Sequence, residues 1–175
     1  MIILMGIAGA GKGTQGKMLA DMEGYLWIST GEILRQHASE DQARRMLAGE
    51  LLHDDELIQI VDMVLGGVEN QDRIILDGFP RTMQQAEWLI TRAKDKKLHP
   101  IVFHLIASHE VVKKRLALRG RPDDADGVIA RRFRDYETIT EPIIDYFVEQ
   151  GLDVYDIDAN KTPEEVHAAI VSYLR

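Results

Sequence analysis

The sequence predicts an α/β fold, a mostly parallel sheet covered by helices on both faces, and three observations predict it. Apolar runs of strand length recur along the 175 residues at 1–5, 25–29, 73–77, 101–106 and 153–157. The intervals between them carry apolar residues at helical spacing, which is the alternation that builds parallel sheets. A glycine-rich turn joins the first strand to the first helix, where backbone amides can converge on an anion.

The elements follow in order. "MIILM" opens the chain as a strand, and "QGKMLADM" places Met18, Leu19 and Met22 at helical spacing behind the glycines. The run at 25–29 is the weakest of the five. A helix over 54–65 opens on Asp54, carries Asp55 and Glu56 in its first turn and ends before Gly66-Gly67. A helix over 108–119 opens on Ser108. The longest runs from about 127 to 150, with Ile129, Phe133, Tyr136, Ile143 and Phe147 marking one face and Gly151 stopping it. Pro142 inside it should kink the helix, because proline lacks the N–H and clashes with the preceding turn. Internal repeats, low-complexity tracts and long linkers are absent from the sequence.

Composition narrows the class. The chain is long enough for one domain with a substantial core, and its 45% hydrophobic and 29% charged residues are those of an ordinary globular protein. It has no cysteine, which removes disulfides and thiolate metal sites and fits a reducing cytoplasm. The opening apolar run is too short for a signal peptide or a membrane span. A net charge of −8 argues against a general nucleic-acid partner. That mean conceals an island: residues 113–134 carry a net +5 while the remainder carries −13. A basic segment on an acidic chain points to a local anionic ligand.

Three motifs carry chemistry. Gly6-x4-Gly11-Lys12 is a phosphate-cradling loop, in which amides wrap phosphate oxygens and the lysine reaches the transferring phosphate. Gly13 stands where the strict pattern has Ser or Thr, and Thr14 follows. "ILDGFPRT", residues 75–82, puts Asp77 at the carboxyl end of a strand, where open α/β sheets bind ligands. An aspartate there can hold Mg²⁺ or its waters, and Arg81 is aimed into the same crevice. In the basic island, Arg115 and Arg119 lie beside Val112 and Leu116 on the partly apolar face of their helix, where they need a partner, and polyphosphate suits their planar fork. On the long helix, with Phe133 at 0°, Arg132 falls about 100° to one side, Arg134 the same to the other, and Arg131 about 160° away. Arg131 is expected to be solvated; angles alone do not choose between Arg132 and Arg134.

With "GAGKGTQ", "ISTGEILR", "DGFPRTMQQAE", "RLALRGRPDD" and "ITEPIIDYF" in that order, the chain resembles the adenylate kinases nearly end to end. The resemblance implies a P-loop NTPase-like, five-stranded parallel sheet flanked by helices: a core of 1–28, 53–118 and 126–175, an AMP-binding insertion at 29–52 and a minimal lid at 119–125. It implies reversible transfer of a phosphoryl group from Mg-ATP to AMP, giving two ADP. Lys12, Arg81, Arg119, Arg121 and Arg132 would be catalytic. Gly9, Ala10, Gly11, Lys12, Gly13, Thr14, Arg115, Arg119 and Lys161 would hold ATP. Thr30, Arg35, Glu50, Leu51, Leu52, Gly78, Arg81, Gln85, Arg121 and Arg132 would hold AMP. Asp123 and Asp124 match the family's paired aspartates after the last lid arginine. Mg²⁺ would ride on the ATP phosphates with Asp77 holding its water shell, with no zinc, and the protein would be a cytoplasmic monomer.

Small differences bear on the acceptor. Relatives that phosphorylate UMP and CMP usually read "SAG" and "PRN" where this chain has "STG" and "PRT", so Thr30, Thr82 and Gln85 favour AMP. A glutamine amide can both donate to and accept from an adenine edge. A UMP/CMP kinase and a nucleotide-binding regulator without turnover are the alternatives. Three departures from the family stand out: Ala8 where proline is usual, thirteen residues only between Arg35 and "GELL", and almost nothing between Arg119 and Arg121. A lid that short has no room for a zinc knuckle and would exclude water less well. Because a phosphate monoester is already largely ionised at neutral pH, with a second pKa of about 6, the reaction needs no general base, and all six histidines are read as structural or surface.

Overall fold

The computed structural model describes residues 1–174. Its five strands are β1 (Ile2–Met5), β2 (Leu26–Ser29), β3 (Ile74–Asp77), β4 (Ile101–Ile106) and β5 (Asp153–Asp158), within a residue or two of the runs in the sequence. They form a single all-parallel sheet in the order β2-β3-β1-β4-β5. Nine α-helices occur among the described residues: α1 (Lys12–Glu23), α2 (Thr30–His37), α3 (Glu40–Leu47), α4 (Asp54–Gly66), α5 (Met83–Asp95), α6 (His109–Arg119), α7 (Asp126–Asp135), α8 (Pro142–Glu149) and α9 (Pro163–Ser172).

Because side chains alternate across a strand, β1 feeds two cores. Ile3 and Met5 face one layer with Ile74, Leu76 and Val102, covered by Leu57, Val61 and Leu65 of α4, Leu89 of α5 and Phe147 of α8. Ile2 and Leu4 face the other with Ile75, Phe103 and Leu105, covered by Leu19 of α1, Val112 and Leu116 of α6, Phe133 of α7 and Ile170 of α9. Burial on both faces is why β1 and β3 read as continuous apolar runs. Edge strand β5 has only Ile157 fully inside and tolerates the aspartates of "DVYDID".

Capping residues set the helix starts. Ser29, Ser39, Thr82, Ser108 and Thr162 each accept a bond from the amide three residues on. At α4 the cap position is His53, with no side-chain cap bond, and Asp54 is turned to a different use described below. The long helix expected over 127–150 is interrupted. α7 ends at Asp135, Tyr136–Thr140 is a π turn in which Glu141 N–H donates to Tyr136 O at 2.8 Å, and α8 restarts with Pro142 in its first turn. The wider turn meets the missing proline donor by changing the hydrogen-bond ladder, so Pro142 becomes a helix start instead of an interior defect.

The connection after β1 leads towards β2 and β3, and the one after β4 leads away to β5. Their carboxyl ends are therefore a topological switch point, where open sheets bind ligands.

Candidate active site

Residues 6–11 lie at that switch point, between β1 and α1. The loop runs so close to β4 that a Cβ at Gly6 (φ +140°) would stand 2.6 Å from Leu105 O. At Gly9 (φ +88°) it would meet Val112 Cγ1 of α6 at 2.8 Å. Any side chain there would push the loop out of the crevice. Lys12, at the start of α1, folds its ammonium back over the loop and donates to Gly6 O (2.5 Å) and Ile7 O (3.1 Å). Burial, opposed by the charge of Asp77 and reinforced by Arg81, Arg119 and Arg132, lowers its pKa from the ordinary lysine value to about 8.

The loop forms one wall of a cleft of about 690 Å³, and every residue that the resemblance assigns to catalysis or nucleotide binding lines it; Thr82, read as favouring AMP, does not. The lining residues come from separate parts of the chain. Asp77 and Gly78 end β3, and Arg81 follows, its Nε donating to Gly78 O at 2.9 Å. Thr30 is buried, its hydroxyl donating to Gly78 O at 3.0 Å. Arg115 runs from α6 to the carbonyls of Ala159 (2.8 Å) and Lys161 (3.1 Å). Glu50, Leu51 and Leu52 line the cleft beyond α3.

Arg119, Arg121 and Arg132 reach the cleft already paired. Arg119 holds Asp124 with two bonds, at 2.9 and 2.5 Å, and Asp124 also receives the Arg121 amide at 3.2 Å. The Arg121 side chain holds Glu32 at 3.1 Å. Arg132 holds Asp123 and lies 3.9 Å from Asp124. Burial opposes ionisation of Asp123, but the hydrogen bond and charge of Arg132 outweigh it and keep the carboxyl below the usual range. Glu32 is held low chiefly by its bond to Arg35. Burial, then Arg132, lowers the Arg81 guanidinium below its ordinary value. Cations crowd here against an insufficient set of carboxylates, and added negative charge would relieve them.

The structure resolves the choice on the long helix: Arg132 lines the cleft, whereas Arg134 faces a separate groove with His109 and Lys113. Arg131 is 42% exposed, in keeping with the expectation of a solvated side chain, but it is not unpaired. Its guanidinium reaches Glu50 at 3.1 Å and Asp135 at 3.7 Å, because α7 packs beneath the residues that follow α3. The histidines stay outside the cleft lining; His104 bridges Asp156 and the Tyr136 hydroxyl, at 2.9 Å each.

Sequence reasoning missed several cleft residues. Glu32, which binds Arg35 at 2.6 Å as well as Arg121, is an ordinary helical glutamate in sequence. Thr140 sends its hydroxyl to Arg81 O at 2.8 Å. Trp27, on β2, lines the cleft against Gly16. Behind the lining, Asp54 accepts from Thr82 Oγ1 (2.8 Å) and Gln85 Nε2 (2.7 Å). None belongs to a local pattern, and only the cap signals of "PRT" and the first-turn acids of α4 hinted at the last.

Asp77 is a candidate contact for a metal. Its carboxylate ends β3, is 8% exposed, and accepts no hydrogen bond among the described residues. A Cβ at Gly13 would lie 3.6 Å from its Oδ2. A lone hard carboxylate open to the phosphate loop fits a hydrated divalent cation carried by a polyphosphate. Among the described residues no three His, Cys, Asp or Glu side chains gather into a metal-binding group.

A phosphate loop at the switch point of a parallel sheet, opposed by arginines, defines a P-loop phosphotransferase. The family profile described as adenylate kinase matches residues 4–152. The chain is 37% identical to the adenylate kinase of Prochlorococcus marinus, over 97% of its length and 95% of the relative's. It is 34% identical to that of Thermus thermophilus, over 97% and 94%, and 38% identical to that of Mycobacterium tuberculosis, over 95% and 94%. The chain belongs to the adenylate kinase family, and is a nucleotide-binding kinase of that family. No helix among the described residues is long and apolar enough to cross a membrane.

Proposed function

We propose that the enzyme transfers the γ-phosphoryl group of Mg-ATP to AMP, reversibly, giving two molecules of ADP. The observation that carries the reading is the convergence of Lys12, Arg81, Arg119, Arg121 and Arg132 on a single cleft beside the phosphate loop. An oxygen of the AMP phosphate attacks in line. The bond from the γ-phosphorus to the β–γ bridging oxygen breaks, and its electron pair leaves with ADP. No proton need be removed from the nucleophile, since its second pKa is about 6. Catalysis then consists of positioning two anions and neutralising charge on the transferring group.

The loop amides and Lys12 would hold the ATP phosphates, with Arg115 and the Lys161 carbonyl beside its base. Arg35 and Arg81 would take the AMP phosphate, with Thr30 and Leu51 near its base and Gln85 reading its edge. Mg²⁺ on the ATP phosphates would neutralise charge there, and Asp77 would hold its water shell. The arginine–carboxylate pairs supply the closing step: Arg119, Arg121 and Arg132 exchange Asp124, Glu32 and Asp123 for phosphate oxygens, which accept the same fork. Residues 29–52 then act as the AMP cover and 119–125 as the lid. Working as a monomer is the further expectation, and size-exclusion chromatography reads it directly.

The test is a chromatographic assay with Mg-ATP and AMP, dAMP, GMP, CMP, UMP or no acceptor. ADP formed at twice the rate of AMP loss, with AMP or dAMP alone, supports the reading. Preference for UMP or CMP moves the acceptor and keeps the mechanism; binding without turnover makes the chain a regulator.

A further inference from the structure

We infer that Asp54 is a positioning residue that sets the base preference of the monophosphate site by fixing which way the Gln85 amide faces. The inference rests on the reading above that Gln85 meets the acceptor base. Gln85 lies on α5, is 1% exposed and lines the cleft, so it offers a ligand only an edge. Its two polar atoms are held from opposite sides. Oε1 accepts from the Arg81 amide at 2.8 Å, and Nε2 donates to Asp54 Oδ1 at 2.7 Å. Turning the amide over would set Oε1 against the Asp54 carboxylate and Nε2 against the Arg81 N–H. Both bonds would be lost and two like pairs created, so the hydrogen-bond network allows one orientation.

Asp54 is itself held. Thr82, which caps α5 by accepting from the backbone N–H of Gln85, donates its hydroxyl to the same Oδ1 at 2.8 Å. Thr82 therefore acts behind Gln85, and the neighbouring Gln84 is tied to Asp55 at 3.0 Å. The start of α4 is thus stitched to the start of α5, with Asp54 and Gln85 31 positions apart in the chain.

A fixed amide keeps one lone pair on Oε1 and one hydrogen on Nε2 in a set order. Adenine presents an amino group and a ring acceptor, which match that order. A 6-oxo purine presents an acceptor and a ring N–H, the reverse order, and would need the amide turned over. A buried site left with unpaired polar groups rejects a ligand strongly. Inosine monophosphate is the cleanest probe, differing from AMP only at that edge.

The experiment compares kcat/KM for AMP and for inosine monophosphate in the wild type, Asp54→Asn and Asp54→Ser, each checked for folding by circular dichroism melting. Asparagine and serine can each donate as well as accept, so one of the two like pairs of the turned amide is relieved, while the one against the Arg81 N–H remains. The AMP preference is expected to fall at least about tenfold in both variants, the scale of one buried hydrogen bond. KM for ATP should stay within about twofold, since Asp54 lies off the ATP side. A merely structural role would lower both acceptors together and leave their ratio in place, which overturns the inference. If the wild type itself does not prefer AMP over inosine monophosphate, the reading of Gln85 fails first. If it does and the variants keep the ratio, only the role of Asp54 fails. Should one variant not fold, the other decides.

Discussion

Replacing Arg132 with alanine tests the proposed chemistry at the point where structure and mechanism meet. The guanidinium is 19% exposed, holds Asp123 and lies 3.9 Å from Asp124. If those carboxylates occupy the place that phosphoryl oxygens take, the same distance applies to the developing charge. Unit charges about 4 Å apart interact by about 4 kcal/mol at the effective dielectric of such a site, or about 10³ in rate. That agrees with the lower end of the effect of an arginine on a transferring phosphoryl group, about 10³–10⁵. Arg132→Ala should therefore lower kcat by at least about 100-fold in a coupled assay at saturating nucleotide, allowing for partial compensation by Arg119 and Arg121. Its melting temperature should fall, because buried Asp123 loses the partner that keeps it ionised, so kcat is measured at a temperature where the variant is fully folded. Arg131→Ala is the neighbouring control. Its bonds to Glu50 and Asp135 are exposed ion pairs of about 0–1 kcal/mol. Loosening Glu50 should raise KM for AMP by no more than about fivefold, with kcat spared. Retention of more than about a tenth of wild-type kcat by Arg132→Ala would refute the reasoning.

Other perturbations follow from the same geometry. With the Lys12 pKa lowered to about 8, kcat/KM for ATP should fall as pH rises through about 8. The limb in kcat should lie higher, since bound phosphate favours the ammonium; a profile flat to about pH 10 would remove Lys12 from phosphate binding. Between that folded value and the ordinary lysine pKa of about 10.4, the unfolded chain holds a proton that the folded chain has lost, so the lysine's contribution to stability rises with pH. The stability of the wild type relative to Lys12→Met, from urea melts, should therefore increase over that window and be constant below it. A Cβ at Gly16 would stand 2.3 Å from the Trp27 ring, so Gly16→Ala should cost about 1–3 kcal/mol of stability and shift the tryptophan emission; unchanged emission and melting would argue against that contact. A lid of only residues 119–125 should let water compete, giving ADP from ATP without acceptor; a rate below about one per cent of the full reaction would dismiss the leak.

Much of this protein is determined by its sequence alone, because the signals involved are local. The five strands are legible since most are runs of apolar residues buried on both faces, and the helix starts since capping residues act within three positions. The phosphate loop is legible for the same reason: the glycines, Lys12 and their strand–turn–helix context are contiguous. The resemblance extended this to scattered arginines by borrowing a pattern longer than any element. The tertiary structure decided what depends on separate elements meeting. Helical angles could not choose between Arg132 and Arg134; packing of α7 against the cleft did, and it turned Arg131 towards Glu50. Pro142 signalled a break, but the π turn that absorbs it depends on what the segment packs upon. Glu32 finding Arg121 across 89 positions, and Asp54 finding Gln85 across 31, leave no trace in spacing. A side chain's period reports only the face it occupies, and its partner is set by which face of another element the fold brings opposite.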